Sequence, residues 1–160
     1  MIRLLLYKCQ LNDGHHFDDI IYGFQKWKKD PHPELIHVEL GFDDGVMFSS
    51  SGRGGFLGEG TRFTDSTAID LDKWDIHIIQ CSKAEEEAVR ASCRRLVGKR
   101  YDWLGIIGMA APVALQAPWA FFCSEVCNHV LAEAGLVKAS KRIRPSQMLD
   151  SYIEQGLITL

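Results

Sequence analysis

Cys123 follows the apolar run Ala120-Phe121-Phe122, and an apolar repeat through Val126, Val130 and Leu131 begins directly after it. That spacing predicts a helix with the Cys123 thiol at its N-terminus. Unpaired backbone N–H groups and the positive end of the helix dipole favour a thiolate there. The same N–H groups suit the oxyanion of an acyl-transfer intermediate. The bland reading is a small buried apolar residue, as most free cysteines are. His37 lies in the strand-like run Leu35 to Phe42. Strict alternation puts Leu35, His37, Glu39 and Gly41 on one face and Ile36, Val38 and Leu40 on the other. A neutral imidazole activates a thiol near neutral pH. The alternative is a histidine hydrogen-bonded at a strand edge.

If these two act together, a third group must orient the imidazole. Ser49 stands twelve residues on, in the return strand of a hairpin, and Glu39 stands two residues beyond His37. A carboxylate supports an imidazolium more strongly than a hydroxyl does. A neighbour along the same strand, however, is poorly placed to reach a ring that points straight out. Ser50 and Ser51 are further options.

Other constellations are weaker. Cys123, Cys127 and His129 do not make a zinc set, because His129 falls on another helix face and four spaced ligands are needed. No metal or cofactor is expected. His15-His16 with Asp18-Asp19 reads as a polar turn and helix start. His77 alternates within Asp-Ile-His-Ile-Ile as a strand residue. The glycines from Gly52 to Gly60 lack a phosphate-loop lysine and open no helix. They read as a mobile lip beside the site, with Gly54 and Gly55, together with Glu39, on the substrate side. Lys138, Lys141, Arg142 and Arg144 read as a solvated basic face that could meet an anionic substrate.

The elements that must carry these groups follow from pattern and punctuation. Ile2 to Tyr7 reads as a strand. Phe17 to Lys28 reads as a helix, with Ile20, Ile21, Phe24 and Trp27 at helical spacing, ended by Asp30-Pro31-His32-Pro33. Asp43-Asp44-Gly45 is a hairpin turn between Leu35–Phe42 and Val46–Ser50. Thr61 to Phe63 and Asp75 to Cys81 are further strands. Ser82-Lys83-Ala84-Glu85 is a capping box opening a helix to about Val97 that buries Val89, Cys93 and Leu96/Val97. The Cys123 helix stops at Gly135. A last helix from Ser146 turns Met148, Leu149, Tyr152 and Ile153 inward. Clustered antiparallel strands with helices set apart give an α+β domain spanning 1–160.

Composition narrows the classes. The chain has 160 residues, 46% of them apolar, and a net charge of −3. That supports a packed core and gives no general footprint for nucleic acid or an anionic membrane. Five cysteines, an odd number, argue for free thiols in a reducing compartment rather than a disulfide framework. The apolar run after Met1 is too short for a signal peptide, so a cytoplasmic location is expected, with export by another route left open. Residues 103–122 have the length of a membrane span, but Pro112, Gln116 and Pro118 interrupt them. A loop or short buried helices is the expectation, with membrane contact through 103–122 open.

Taken together, several motifs resemble the circularly permuted NlpC-like cysteine hydrolases, of which the lecithin retinol acyltransferase group is a branch. They are Ile36-His37-Val38-Glu39-Leu40, Asp44 to Ser49, Gly98-Lys99-Arg100-Tyr101-Asp102, Phe121-Phe122-Cys123-Ser124-Glu125-Val126 and Arg142 to Ser146. The resemblance spans roughly residues 1 to 155 and rests on their order and spacing. It implies a permuted papain-like fold, with the cysteine helix packed on a small antiparallel sheet carrying the histidine. It implies Cys123 as nucleophile, His37 as base, Ser49 at the orienting position and Tyr101 near the oxyanion. Serine departs from the Glu, His or other polar residue usual there. The implied chemistry is cofactor-free acyl transfer through a thioester. The substrate is expected to be an amide in a peptide or cell-wall fragment, with a lipid acyl ester or a non-catalytic binding module as alternatives.

Overall fold

Alternating apolar side chains bring five strands into one antiparallel sheet. The computed structural model describes residues 1–9, 16–52, 60–68, 70–105, 120–140 and 143–159. The strands are β1 (Ile2–Lys8), β2 (Leu35–Phe42), β3 (Val46–Ser51), β4 (Gly60–Asp65) and β5 (Trp74–Ile79), in the order β4-β3-β2-β1-β5. Ile2, Leu4 and Leu6 of β1 lie opposite Phe42, Leu40 and Val38 of β2, so one face of the sheet is a continuous apolar floor.

Three helices cover that floor: α2 (Lys83–Leu96), α3 (Cys123–Glu133) and α4 (Pro145–Glu154). They contribute Val89 and Cys93, Val126 and Val130, and Met148 and Tyr152 to one core. Another helix, α1 (His16–Trp27), lies on the opposite face, where Ile21 joins Tyr7 and Ile36 in a smaller cluster. The result is a single α+β domain. A short parallel pair, β6 (Arg100–Tyr101) and β7 (Ala120–Phe121), stands beside the main sheet.

The capping box at Ser82 and Glu85 forms as its sequence predicts, and Gly45 takes the left-handed conformation (φ 80°) that the hairpin turn requires. Most boundaries fall within a residue or two of their expected places, and β4 is longer than Thr61–Phe63. Two expectations fail. Val97 is 49% exposed, because the helix ends at Leu96 and Val97 sits beyond it. Strict alternation also breaks at the start of β2. Tyr7 pairs with His37 but Lys8 pairs with Leu35, so Ile36 is an extra residue on β2. Leu35 therefore joins Val38 and Leu40 in the main core, while Ile36 turns to the α1 side.

Long-range polar contacts fasten the layers. Arg90 of α2 grips Asp44 through two nitrogens, at 2.8 and 3.1 Å, and lies over the Phe42 ring. Beyond α1, Asp30 is buried and accepts two bonds from the Arg144 guanidinium, each 2.5 Å, and one from Ser146 Oγ at 2.7 Å. Gln25 adds hydrogen bonds to the carbonyls of Pro33 and Leu35. The segment leading into β2 is thereby bolted to α4. Among the described residues, no helix is long and apolar enough to cross a membrane. Most of the segment 103–122 lies outside the described residues.

Candidate functional site

The approach to Cys123 is fixed by its backbone. β7 pairs with β6, and the Phe121 carbonyl accepts from Ser50 Oγ at 2.7 Å and from the Asp102 N–H at 3.2 Å. Phe122 is extended (φ −92°, ψ 170°) and serves as N-cap without any side-chain hydrogen bond. Cys123 is thus the first residue of α3, 3% exposed. A phenylalanine cap leaves the first-turn N–H groups without a side-chain acceptor.

The structure brings His37 against that helix mouth. The imidazole lies near enough to the Cys123 side chain to interact with it electrostatically and through its proton. On its other side, Nε2 donates to Glu39 Oε1 at 3.2 Å. The Trp74 ring packs on it edge to face, with centroids 6.2 Å apart. Burial is the largest single influence on the imidazole and acts to lower its proton affinity. The charge of Cys123 and the hydrogen bond with it, then the hydrogen bond and charge of Glu39, together outweigh burial and raise His37 from 6.5 to about 9. An imidazolium held between a sulfur and a carboxylate has this environment.

Of the two candidates that the sequence leaves open, Glu39 is the one in contact with the imidazole. His37 and Glu39 stand two residues apart in the regular part of the β1–β2 ladder, opposite Tyr7 and Leu5, and so share one face of β2. Ser49 is not placed on the imidazole. Its hydroxyl donates to the Val38 carbonyl at 2.6 Å and lies near the Ser50 carbonyl at 3.4 Å. The reason is the β2–β3 ladder, which pairs only at Leu40–Phe48 and Gly41–Met47. Beyond those pairs the strands part, and Ser49 Oγ spans the gap. Ser50 holds the strand before Cys123, as described, and Ser51 pairs with Gly60 in β4.

Tyr101 pairs by its backbone with Phe121, two residues ahead of Cys123. Its ring stands edge to face with Trp103, at 5.1 Å between centroids. Both rings press on Gly52, where an added Cβ would come within 2.8 Å of Tyr101 and 2.7 Å of Trp103. That crowding gives Gly52 a packing reason to be glycine. Gly54 and Gly55 lie outside the described residues.

Cys127, one turn further along α3, donates weakly to the Val38 and Phe48 carbonyls at 3.8 and 4.0 Å. Burial, reinforced by the charges of Cys123, Cys93 and Glu39, pushes its thiol well above the ordinary value. Cys93 is likewise pushed up to about 12 by burial. Sequence reasoning did not single out Trp74. Its place beside His37 depends on β1 lying between β5 and β2, with Tyr7 opposite both Trp74 and His37, and no local motif encodes that order. Among the described residues, no three His, Cys, Asp or Glu side chains gather to hold a metal ion. No family model matches the chain, and no curated protein or solved structure was found to be similar to it.

Proposed function

We propose that this chain is a cysteine-dependent hydrolase of amide bonds in peptides or cell-wall peptides, with a permuted papain-like arrangement. One observation carries the reading: His37 is held between Cys123, at an uncapped helix N-terminus, and the Glu39 carboxylate. Cys123 acts as nucleophile, His37 as acid and base, and Glu39 as the positioning residue.

With Nε2 engaged by Glu39, Nδ1 is the ring nitrogen that serves the thiol. The proton shared by Cys123 and His37 rests on the imidazole, and Sγ bonds to the amide carbonyl carbon. First-turn N–H groups of α3 stabilise the oxyanion. The C–N bond breaks as His37 returns the proton to the leaving amine. His37 then takes a proton from water, whose oxygen attacks the thioester carbonyl. The C–S bond breaks, releasing the acid and leaving the sulfur paired with the protonated imidazole, as at the start. The sheet histidine, the late helix cysteine and their packing on one domain also support the papain-like arrangement.

The test is alkylation of each cysteine across pH, followed by mass spectrometry, in wild type and His37→Ala. Cys123 is expected to label faster than the half-buried Cys9 and Cys81, and to slow in the variant. Equal labelling that ignores His37 overturns the proposal. Assays on peptide amides, muropeptides and phospholipid vesicles then separate amide cleavage from acyl-ester cleavage by the same groups.

A further inference from the structure

α1 buries one side against the sheet and leaves an apolar ridge on another, where a helix lying on a sheet is expected to be polar outward. The inner face buries Asp18, Ile21 and Gln25. The outer face presents Ile20, 64% exposed, and Trp27, 68% exposed, seven residues apart and so on the same side. Phe24 lies between them, its ring 6.0 Å from that of Trp27. Lys26, Lys28 and Lys29 are all exposed around the end of this ridge. The Lys28 ammonium stands 4.6 Å from the Trp27 ring centre and 5.6 Å from that of Phe24.

The charge is concentrated there against a chain that is net −3. Asp30, the nearest acid in sequence after the helix, is turned inward to Arg144. The helix ends in a turn where the Asp30 N–H donates to the Gln25 carbonyl at 3.0 Å. Lys29 occupies its left-handed position, at φ 58°. Glycine is the unstrained choice there, so the turn itself gives no reason for a lysine.

The geometry points to the outer face of α1 as a docking surface for an anionic lipid bilayer. A convex ridge of three apolar side chains is far smaller than the roughly 20–30 residues a side of a stable protein interface. It inserts into a bilayer interface without a complementary groove. Tryptophan suits the headgroup level, and lysines reach from there to anionic headgroups. This surface is independent of the Cys123–His37 reading, and binding is expected to survive Cys123→Ala.

The experiment is flotation of the full chain with phosphatidylcholine vesicles, with and without phosphatidylglycerol. Wild type is expected to float with the anionic vesicles only and to be released by added salt. Trp27→Ala should weaken binding about tenfold, and each lysine-to-glutamine change at 26, 28 or 29 about fivefold. Because these side chains are exposed, circular dichroism should show the variants folded. Absence of flotation overturns the inference. So does flotation indifferent to the α1 variants, equal flotation on neutral vesicles, or retention on an acidic polypeptide resin without flotation.

Discussion

Cys123 and Cys127 occupy successive turns of α3, and both are almost wholly enclosed. What surrounds each sulfur differs. Cys123 opens the helix, next to N–H groups that no side chain caps, and meets the His37 imidazole. Cys127 faces carbonyl oxygens of Val38 and Phe48, which accept from a thiol and offer nothing to a thiolate. Burial is therefore no guide to which thiol reacts. The partner's polarity is: a cationic donor on one turn, backbone acceptors on the next. Glu39 acts on both, raising His37 and also raising Cys127.

The largest expected contrast is between the two alanine variants. Cys123→Ala should lower turnover of a cleavable amide by at least about a thousandfold. Cys127→Ala should keep activity within about tenfold and instead cost about 1–2 kcal/mol in denaturant unfolding, for the sulfur lost from the core. Comparable activity in both variants would erase the distinction. Next in size, His37→Ala should slow alkylation of Cys123 about a hundredfold and leave Cys127 unchanged, as read by mass spectrometry of labelled peptides.

Glu39→Gln sharpens the comparison through pH. His37 has its folded value raised to about 9 from 6.5. The charged imidazole therefore stabilises the fold fully below about 6.5, and that contribution is lost as pH rises through about 9. Removing the carboxylate should bring the His37 titration down, which an NMR titration of the ring protons reads. The melting-temperature gap between wild type and Glu39→Gln should narrow as pH is raised from about 6 to about 10. A gap that widens would mean the carboxylate does not support an imidazolium. Smallest of all, Ser49→Ala should leave turnover within about twofold and lower stability by about 1 kcal/mol, the worth of one buried hydrogen bond. A large loss of activity there would restore Ser49 to the orienting role.

The sequence made the placement of these groups legible where the signal is local. An apolar run meeting a helical repeat put Cys123 at a helix start, and strand composition put His37 on β2. The capping box at Ser82 and the turn at Gly45 are signals of the same kind. The partner of His37 was hidden because which way the ring leans along its strand is set by the groups packed on it, Cys123 and Trp74 among them. Strict alternation misplaces Leu35 and Ile36, because the extra residue shows only once Tyr7 and Lys8 are paired across the sheet. Ser49 was legible as a hydroxyl on the return strand of the hairpin but not as a strap across parting strands, because where a ladder stops is a tertiary fact. Trp74 needed the strand order.

The clasp between Asp30 and Arg144 joins positions 114 residues apart. A chain emerging during synthesis would complete β2, with its histidine, long before α4 exists to anchor the segment leading into it. Until then Asp30 lacks the guanidinium that makes its burial tolerable. The order of assembly thus delays a firmly seated histidine strand until the C-terminal helix has docked.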